Sequence, residues 1–396
     1  MKVRSVLLLV VAETVVMSLW FVSAAVLPEM ARETDISPTR QALLSSGVQG
    51  GFVIGALLFS GIGLPDRFDP RRIFSFCAIT AALINGLLLI TSPGGDAAIA
   101  ARVVTGLLLA GVYPVGMKIV VGWGVKDRGL LVGLLVGALS IGSASPHLMA
   151  WLGNAEWRWV VIASSVLAGF GGFVVLFSGL GPYHAQSPRF DLSVIATAWS
   201  NRRIRLAYAG YLGHMWELFV MWAWVGTMST LSYAATIPMR DAEDLGKLTA
   251  FVAIGMGGVA SVCAGMVADQ FGKAQVALIA MIVSGGAALI TAATFGGAVW
   301  FTFLIIVVWG AAIVPDSPQF SALVADAAPP AQAGSLMTFQ TALGFTLTFF
   351  TVQFAPMFAA TFSWPGLIAA LAIGPAFGIG AMLRLLQLQR REMIRA

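Results

Sequence analysis

Seven acidic, basic or imidazole side chains stand well inside long apolar runs of this 396-residue sequence: Glu13, Arg102, Lys118, His147, His214, Glu217 and Asp316. A charge in such a run is unfavourable unless it faces protein or a water-filled cavity, so each is a candidate for chemistry. Tyr208–Trp224 concentrates them. As a helix it places Gly210, His214, Glu217, Met221 and Trp224 on one stripe, because residues three, four and seven apart share a face. A carboxyl held away from water is suited to keep a proton or a cation, and histidine exchanges protons near neutral pH. A lone histidine in a bundle is more often structural. Arg102 lies about one turn inside one end of its run, where it can pair with a buried acid, hold an anion or snorkel outward. Lys118 has the same choices near the other end. Asp316 sits in Pro315-Asp-Ser-Pro318-Gln319, whose prolines remove two amide donors; such backbone is tolerated where it lines a cavity.

The elements that must position these groups follow from composition. Hydrophobic residues make up 58% of the chain and charged residues only 10%, against about 25% charged in soluble domains. Twelve apolar runs are each long enough to cross a bilayer as a helix, about 30 Å of hydrocarbon. They cover roughly residues 5–27, 42–64, 73–90, 99–123, 130–152, 157–180, 206–231, 246–268, 274–294, 297–322, 334–357 and 363–386. The expected fold is an all-α membrane protein with residues 1–180 and 206–396 as two six-helix bundles, joined by a polar linker at 181–205. The first run resembles a signal peptide, but Glu13 interrupts it and it reads as the first spanning helix. Of the 23 lysines and arginines, 16 fall on the side of the two termini and the linker, which makes that side cytoplasmic. The net charge of +5 lies in alternate loops and forms no basic face for nucleic acid. Cys77 and Cys263 fall in separate apolar runs without metal-site spacing, so neither a disulfide nor a metal centre is expected. No phosphate-binding lysine motif, catalytic triad or cofactor motif is present, so the chain is not expected to be an enzyme.

The two halves repeat each other. Glu13, Met17 and Trp20 precede Glu217, Met221 and Trp224 by a constant 204 residues. Gly61 and Asp66 precede Gly265 and Asp269, and Pro114 precedes Pro315, at nearly the same offset. Two parallel six-helix repeats place a site at their interface near the midplane. The stripes of Glu13 and Glu217 are expected to face each other across it, with Trp20 and Trp224 as cavity walls.

These features resemble the major facilitator superfamily. Its signature after helix two is similar to Gly61-Ile-Gly-Leu-Pro-Asp66-Arg67-Phe-Asp-Pro-Arg71-Arg72, with one extra residue and with Asp69-Pro70 where a single glycine is usual. Gly265-Met-Val-Ala-Asp269-Gln-Phe-Gly-Lys273 looks like the second copy. Arg102-Val-Val-Thr-Gly106 with Ala110 and Gly111 resembles the helix-four pattern. The ladder Gly129, Gly133, Gly137, Gly142 lacks the Gly-Pro pair of the family's antiporters. The resemblance implies a gating brace built from Asp66, Arg67, Arg71, Arg72, Asp269 and Lys273, with helices one, four, seven and ten around the cavity.

The expected function is secondary active transport by alternating access in the bacterial inner membrane. It is coupled to protons, needs no cofactor, is carried out by a monomer, and moves a small polar metabolite, anionic ones included. Glu13, Glu217 and Asp316 are the expected carriers, with Arg102 and Lys118 as counter-charges and His147 and His214 as relays. Two alternatives stay open: a proton-driven exporter of hydrophobic compounds or drugs, and a transporter-like sensor without flux.

Overall fold

The computed structural model describes residues 1–124, 127–153, 156–184, 193–329 and 332–395, with the side chains of positions 65, 66, 128, 269 and 393–395 outside the description. Among the described residues there are helices and no strands. Span 1 is Lys2–Met17 followed by Val22–Glu33; spans 2 and 3 are Pro38–Gly61 and Pro70–Gly86. Span 4 is Asp96–Leu109 followed by Tyr113–Val121; spans 5 and 6 are Arg128–Leu152 and Trp157–Val174. After the short helix Val194–Ser200, spans 7, 8 and 9 are Arg202–Tyr233, Met239–Phe271 and Lys273–Ala293. Span 10 is Val299–Ile313 followed by Ser317–Ala327, and Ala333–Leu371 with Ile373–Arg395 supplies spans 11 and 12. Residues 185–192 of the expected linker lie outside the described residues.

Among the described residues, ten segments are long and apolar enough to cross a membrane. Two features relate ten to twelve. Ala333–Glu392 has 60 residues, about 90 Å of helix against about 30 Å of hydrocarbon. It turns at Ser363, whose φ of 69° lies in the left-handed region. Span 7 is the other addition: its 32 residues suffice in length, but His214, Glu217 and its glycines dilute its apolar character.

Three spans are broken where the site lies. The break in span 4 at residues 110–112 precedes Pro114, and that in span 10 at 314–316 contains Pro315. Span 1 unwinds at residues 18–21 without a proline or glycine. Span 7 runs unbroken.

Several boundaries differ from the sequence expectation, two of them for a shared reason. Span 1 runs on to Glu33 rather than stopping near residue 27, and span 8 starts at Met239 rather than near 246. Their outer turns carry Glu29, Arg32, Glu243 and Lys247, which pair with one another and so let both helices continue beyond their apolar stretches.

The bundles meet along two seams, span 5 on span 8 and span 2 on span 11. The glycine ladder makes the first seam close: a Cβ on Gly137 would stand 3.2 Å from the Gly258 carbonyl oxygen, and one on Gly265 would stand 2.6 Å from that of Gly129.

Candidate proton and substrate site

The C-terminal bundle holds a buried cluster of protonatable groups. Glu217 is 1% exposed. Its Oε1 accepts a 2.7 Å hydrogen bond from Trp309 Nε1 and its Oε2 a 3.1 Å bond from Ser284 Oγ. One turn earlier, His214 Nδ1 lies 2.8 Å from Asp316 Oδ1, with both side chains buried. An imidazole and a carboxyl are thus in direct contact away from water. Asp316 reaches His214 because it stands at the broken turn of span 10. Three protonatable groups therefore sit within one bundle, on spans 7 and 10.

Glu13 occupies the corresponding place in the N-terminal bundle with different surroundings. It is fully buried and neither carboxyl oxygen has a hydrogen-bond partner. A Cβ on Gly116 would stand 2.6 Å from its Oε2 and 3.5 Å from the Phe74 ring. Glu13 thus packs toward spans 3 and 4, as Glu217 packs toward spans 9 and 10. The repeat relates the two carboxyls, but each is turned into its own bundle, which corrects the expectation that they face each other. The physical reason lies on the opposite helix faces, where Trp20, Phe21, Phe219 and Trp222 fill the space between the halves and offer a carboxylate no hydrogen bonds.

That space is aromatic. Trp20 and Phe52 from one half meet Phe219 and Phe345 from the other, with ring centroids 4.4–5.8 Å apart. Phe21 meets Trp222 edge-on at 5.8 Å. The indole N–H groups of Trp20 and Trp222 are buried without partners. Trp224, the repeat counterpart of Trp20, is elsewhere: its Nε1 donates to the Val352 carbonyl at 3.3 Å and its ring meets Trp364. The unwound turn separates Trp20 from the stripe of Glu13, whereas unbroken span 7 keeps Trp224 on the stripe of Glu217.

Arg102 is fully buried and closes that turn. Its Nη2 donates to the Leu19 and Trp20 carbonyls at 2.9 and 2.7 Å, and its Nη1 donates to Asn85 Oδ1 at 2.9 Å. Nε points to the Leu44 carbonyl at 3.4 Å. The expected partners are an acid or an anion; the ones it has are the Asn85 amide and backbone carbonyls, two of them in the unwound turn of span 1. Lys118 is half-buried two residues beyond Gly116.

The two halves are joined, at the end away from the termini, by charges at and just beyond the edges of the expected spans. Lys247 Nζ lies 2.6 Å from Glu29 Oε1, both side chains less than a tenth exposed. Arg32 pairs with Glu243 just outside. His147, buried on span 5, lines the same recess as Glu29, Glu243, Lys247 and Thr230. On the other seam Gln353 accepts from Ser46 Oγ at 2.7 Å. At the opposite end of that seam, open space surrounds both Gly61 and Gly334. The contacts of Glu29, Arg32 and Gln353 join the halves at the end away from the termini.

The sequence profile of the Major Facilitator Superfamily matches residues 9–347. The chain belongs to this superfamily. Solved structures of similar fold include a mutant of the nucleoside transporter NupG (TM-score 0.71, 13% identity, covering 96% of this chain and 99% of that one). They also include a D-xylose–proton symporter (0.73, 14%, 97% of each) and the xylose transporter XylE from E. coli, partially occluded and inward open (0.70, 13%, 98% and 97%). A search of curated proteins gives no match.

In this superfamily member the signature loops are built around a residue the sequence reading did not nominate. Asp69 caps the helix of span 3 by accepting from the Arg71 amide at 2.9 Å, and it pairs with the Arg71 guanidinium at 2.6 Å. Asp before a proline at the first helical position is the signal that could have found it. Arg71 also donates to the Ser178 carbonyl at 3.0 Å, tying span 3 to the end of span 6. Arg67 and Arg72 are exposed, and the side chains of Asp66 and Asp269 lie outside the described residues. In the second copy Lys273 pairs with Asp326 at 2.6 Å, joining span 9 to span 10.

The Arg71 guanidinium holds the Asp69 carboxyl below its ordinary value of 3.8. A lowered folded value means that the contribution to stability is complete above the unfolded value and fades as pH falls through the folded one. Asp69→Ala is therefore expected to destabilise by about 1 kcal/mol at neutral pH, the usual cost of a lost cap. Thermal unfolding should show the gap between variant and wild type closing below about pH 3. A gap that persists in acid would show that the carboxylate is not its source.

Proposed function

We propose that the chain is a proton-coupled secondary transporter whose substrates have an aromatic or apolar body and pass between its halves. The proton part rests on the His214–Asp316 contact beside Glu217, three protonatable groups on spans 7 and 10. A similar fold in a D-xylose–proton symporter adds support. For the substrate, Arg102 is occupied by carbonyls, which weakens the reading of an anionic metabolite. Trp20, Phe52, Phe219 and Phe345 favour a stacking ring, and the free indole N–H groups of Trp20 and Trp222 suit an acceptor on it. This moves the reading toward the exporter of hydrophobic compounds, and a nucleoside, the cargo named for one neighbour of similar fold, also has such a ring. The basic-residue distribution supports an inner-membrane location with both termini in the cytoplasm.

The test has two stages. Thermal stabilisation of purified protein is screened against aromatic, nucleoside, sugar and organic-acid panels at about pH 6 and about pH 8. Ring-containing ligands are expected to stabilise, and by different amounts at the two values. In proteoliposomes Glu217→Gln should then abolish accumulation driven by a pH gradient while leaving exchange down a substrate gradient. Unchanged coupling in that variant, or stabilisation by organic acids alone, would overturn the respective half of the reading.

A further inference from the structure

The inner ends of spans 7 and 12 carry a feature that transport does not use. Arg202, Arg384 and Arg391 line a solvent-open recess with Gln387 and Leu388, about 220 Å³ in volume. Arg384 and Arg391 stand two helical turns apart on one face of span 12, and Arg202 is the first residue of span 7. The charges beside them are engaged elsewhere. Arg203 pairs with Glu392, and Arg205 donates to the Trp199 carbonyl at 2.7 Å. Among the described residues no carboxylate pairs with any of the three arginines. Three guanidinium groups around one recess repel one another, and an anion between them relieves that repulsion and accepts several charge-assisted hydrogen bonds.

The surroundings indicate which anion. The stripe that holds Arg384, Gln387 and Arg391 continues back along span 12 through Gly380 and Phe377. Phe377 is 62% exposed, and open space surrounds Gly380. An exposed strip of span 12, with a notch at Gly380, therefore runs directly into the basic recess. The depth also agrees: Arg384 follows the outer turn at Ser363 by about 30 Å of helix, one hydrocarbon thickness. A soluble phosphate would use the recess alone; a phospholipid would use both parts.

We propose that this recess binds the phosphate of an anionic phospholipid, with an acyl chain lying along Gly380 and Phe377. Full-length protein in neutral detergent is titrated with phosphatidylglycerol or phosphatidylcholine, and bound lipid is counted by native mass spectrometry. Phosphatidylglycerol is expected to be retained over phosphatidylcholine, with the preference falling about fivefold for each arginine changed to glutamine. R384Q/R391Q should lose most of it while unfolding at the wild-type temperature, since both side chains are exposed; Arg202→Gln serves the same purpose if the double variant is unstable. Gly380→Trp keeps all three arginines but fills the notch in that strip, and is also expected to lose the lipid. Equal retention of the two lipids by the wild type, or an undiminished preference in the arginine variants, overturns the proposal. So does displacement of phosphatidylglycerol by millimolar inorganic phosphate, or full retention in Gly380→Trp, either of which identifies a soluble-anion site.

Discussion

Arg102→Leu is expected to lower the stability of the folded protein by about 3–5 kcal/mol, the cost of breaking a buried charged network from one side. The guanidinium is the donor for the Leu19 and Trp20 carbonyls and for Asn85 Oδ1. Leucine leaves all three buried without that donor, each at about 1–3 kcal/mol before relaxation. Arg102→Lys should fall between, because one ammonium cannot reproduce the fork that spans two carbonyls and an amide. Thermal unfolding in detergent measures both. A leucine variant as stable as wild type would mean that the unwound turn holds without its clamp. Trp20 belongs to that turn, so the lysine variant should also weaken ligand stabilisation beyond its effect on folding.

The second large effect concerns the outer seal. Lys247→Ala leaves Glu29 as a buried, unpaired carboxylate between the halves. The protein can escape that cost by separating the outer ends and letting Glu29 reach water. The single variant is therefore expected to shift the conformational balance toward an open outer face on the order of a hundredfold. The double variant Glu29→Gln/Lys247→Met removes both charges and should return most of the way. The measurement is the rate at which a cysteine placed at Thr230 reacts with a membrane-impermeant maleimide, in a background lacking Cys77 and Cys263. Equal rates in single, double and parent proteins would show that the pair does not hold the seal. Arg32 and Glu243 lie outside it and are partly exposed, so removing either should have a smaller effect.

Much of this was legible in the sequence. Apolar runs of spanning length and one-sided arginines indicated the twelve-helix architecture, and the 204-residue offset related Glu13 to Glu217. What escaped depended on contacts between distant positions. Glu29 and Lys247 sit at the edges of apolar stretches and look like solvated charges; their pairing across the two bundles buries them. The breaks in spans 4 and 10 are announced by Pro114 and Pro315. The break in span 1 has no such residue, because its carbonyls are satisfied by Arg102, more than eighty positions away. Without that break Trp20 and Trp224 look equivalent, which is why the sequence paired them as cavity walls and the structure does not. The direction of the glutamates escaped for a similar reason. A stripe can be read from spacing, but which neighbour it meets depends on which other face is more aromatic.

The turn at Ser363 has a mechanical consequence. A non-glycine residue in the left-handed region, with Pro365 two positions on and helix on both sides, is a stiff corner rather than a slack tether. Spans 11 and 12 should therefore tilt together as a lever with its elbow at the outer surface. One arm carries Gln353, which grips span 2; the other reaches Arg384 and Arg391. A tilt of the second arm would therefore load the contact of Gln353 with Ser46 on span 2.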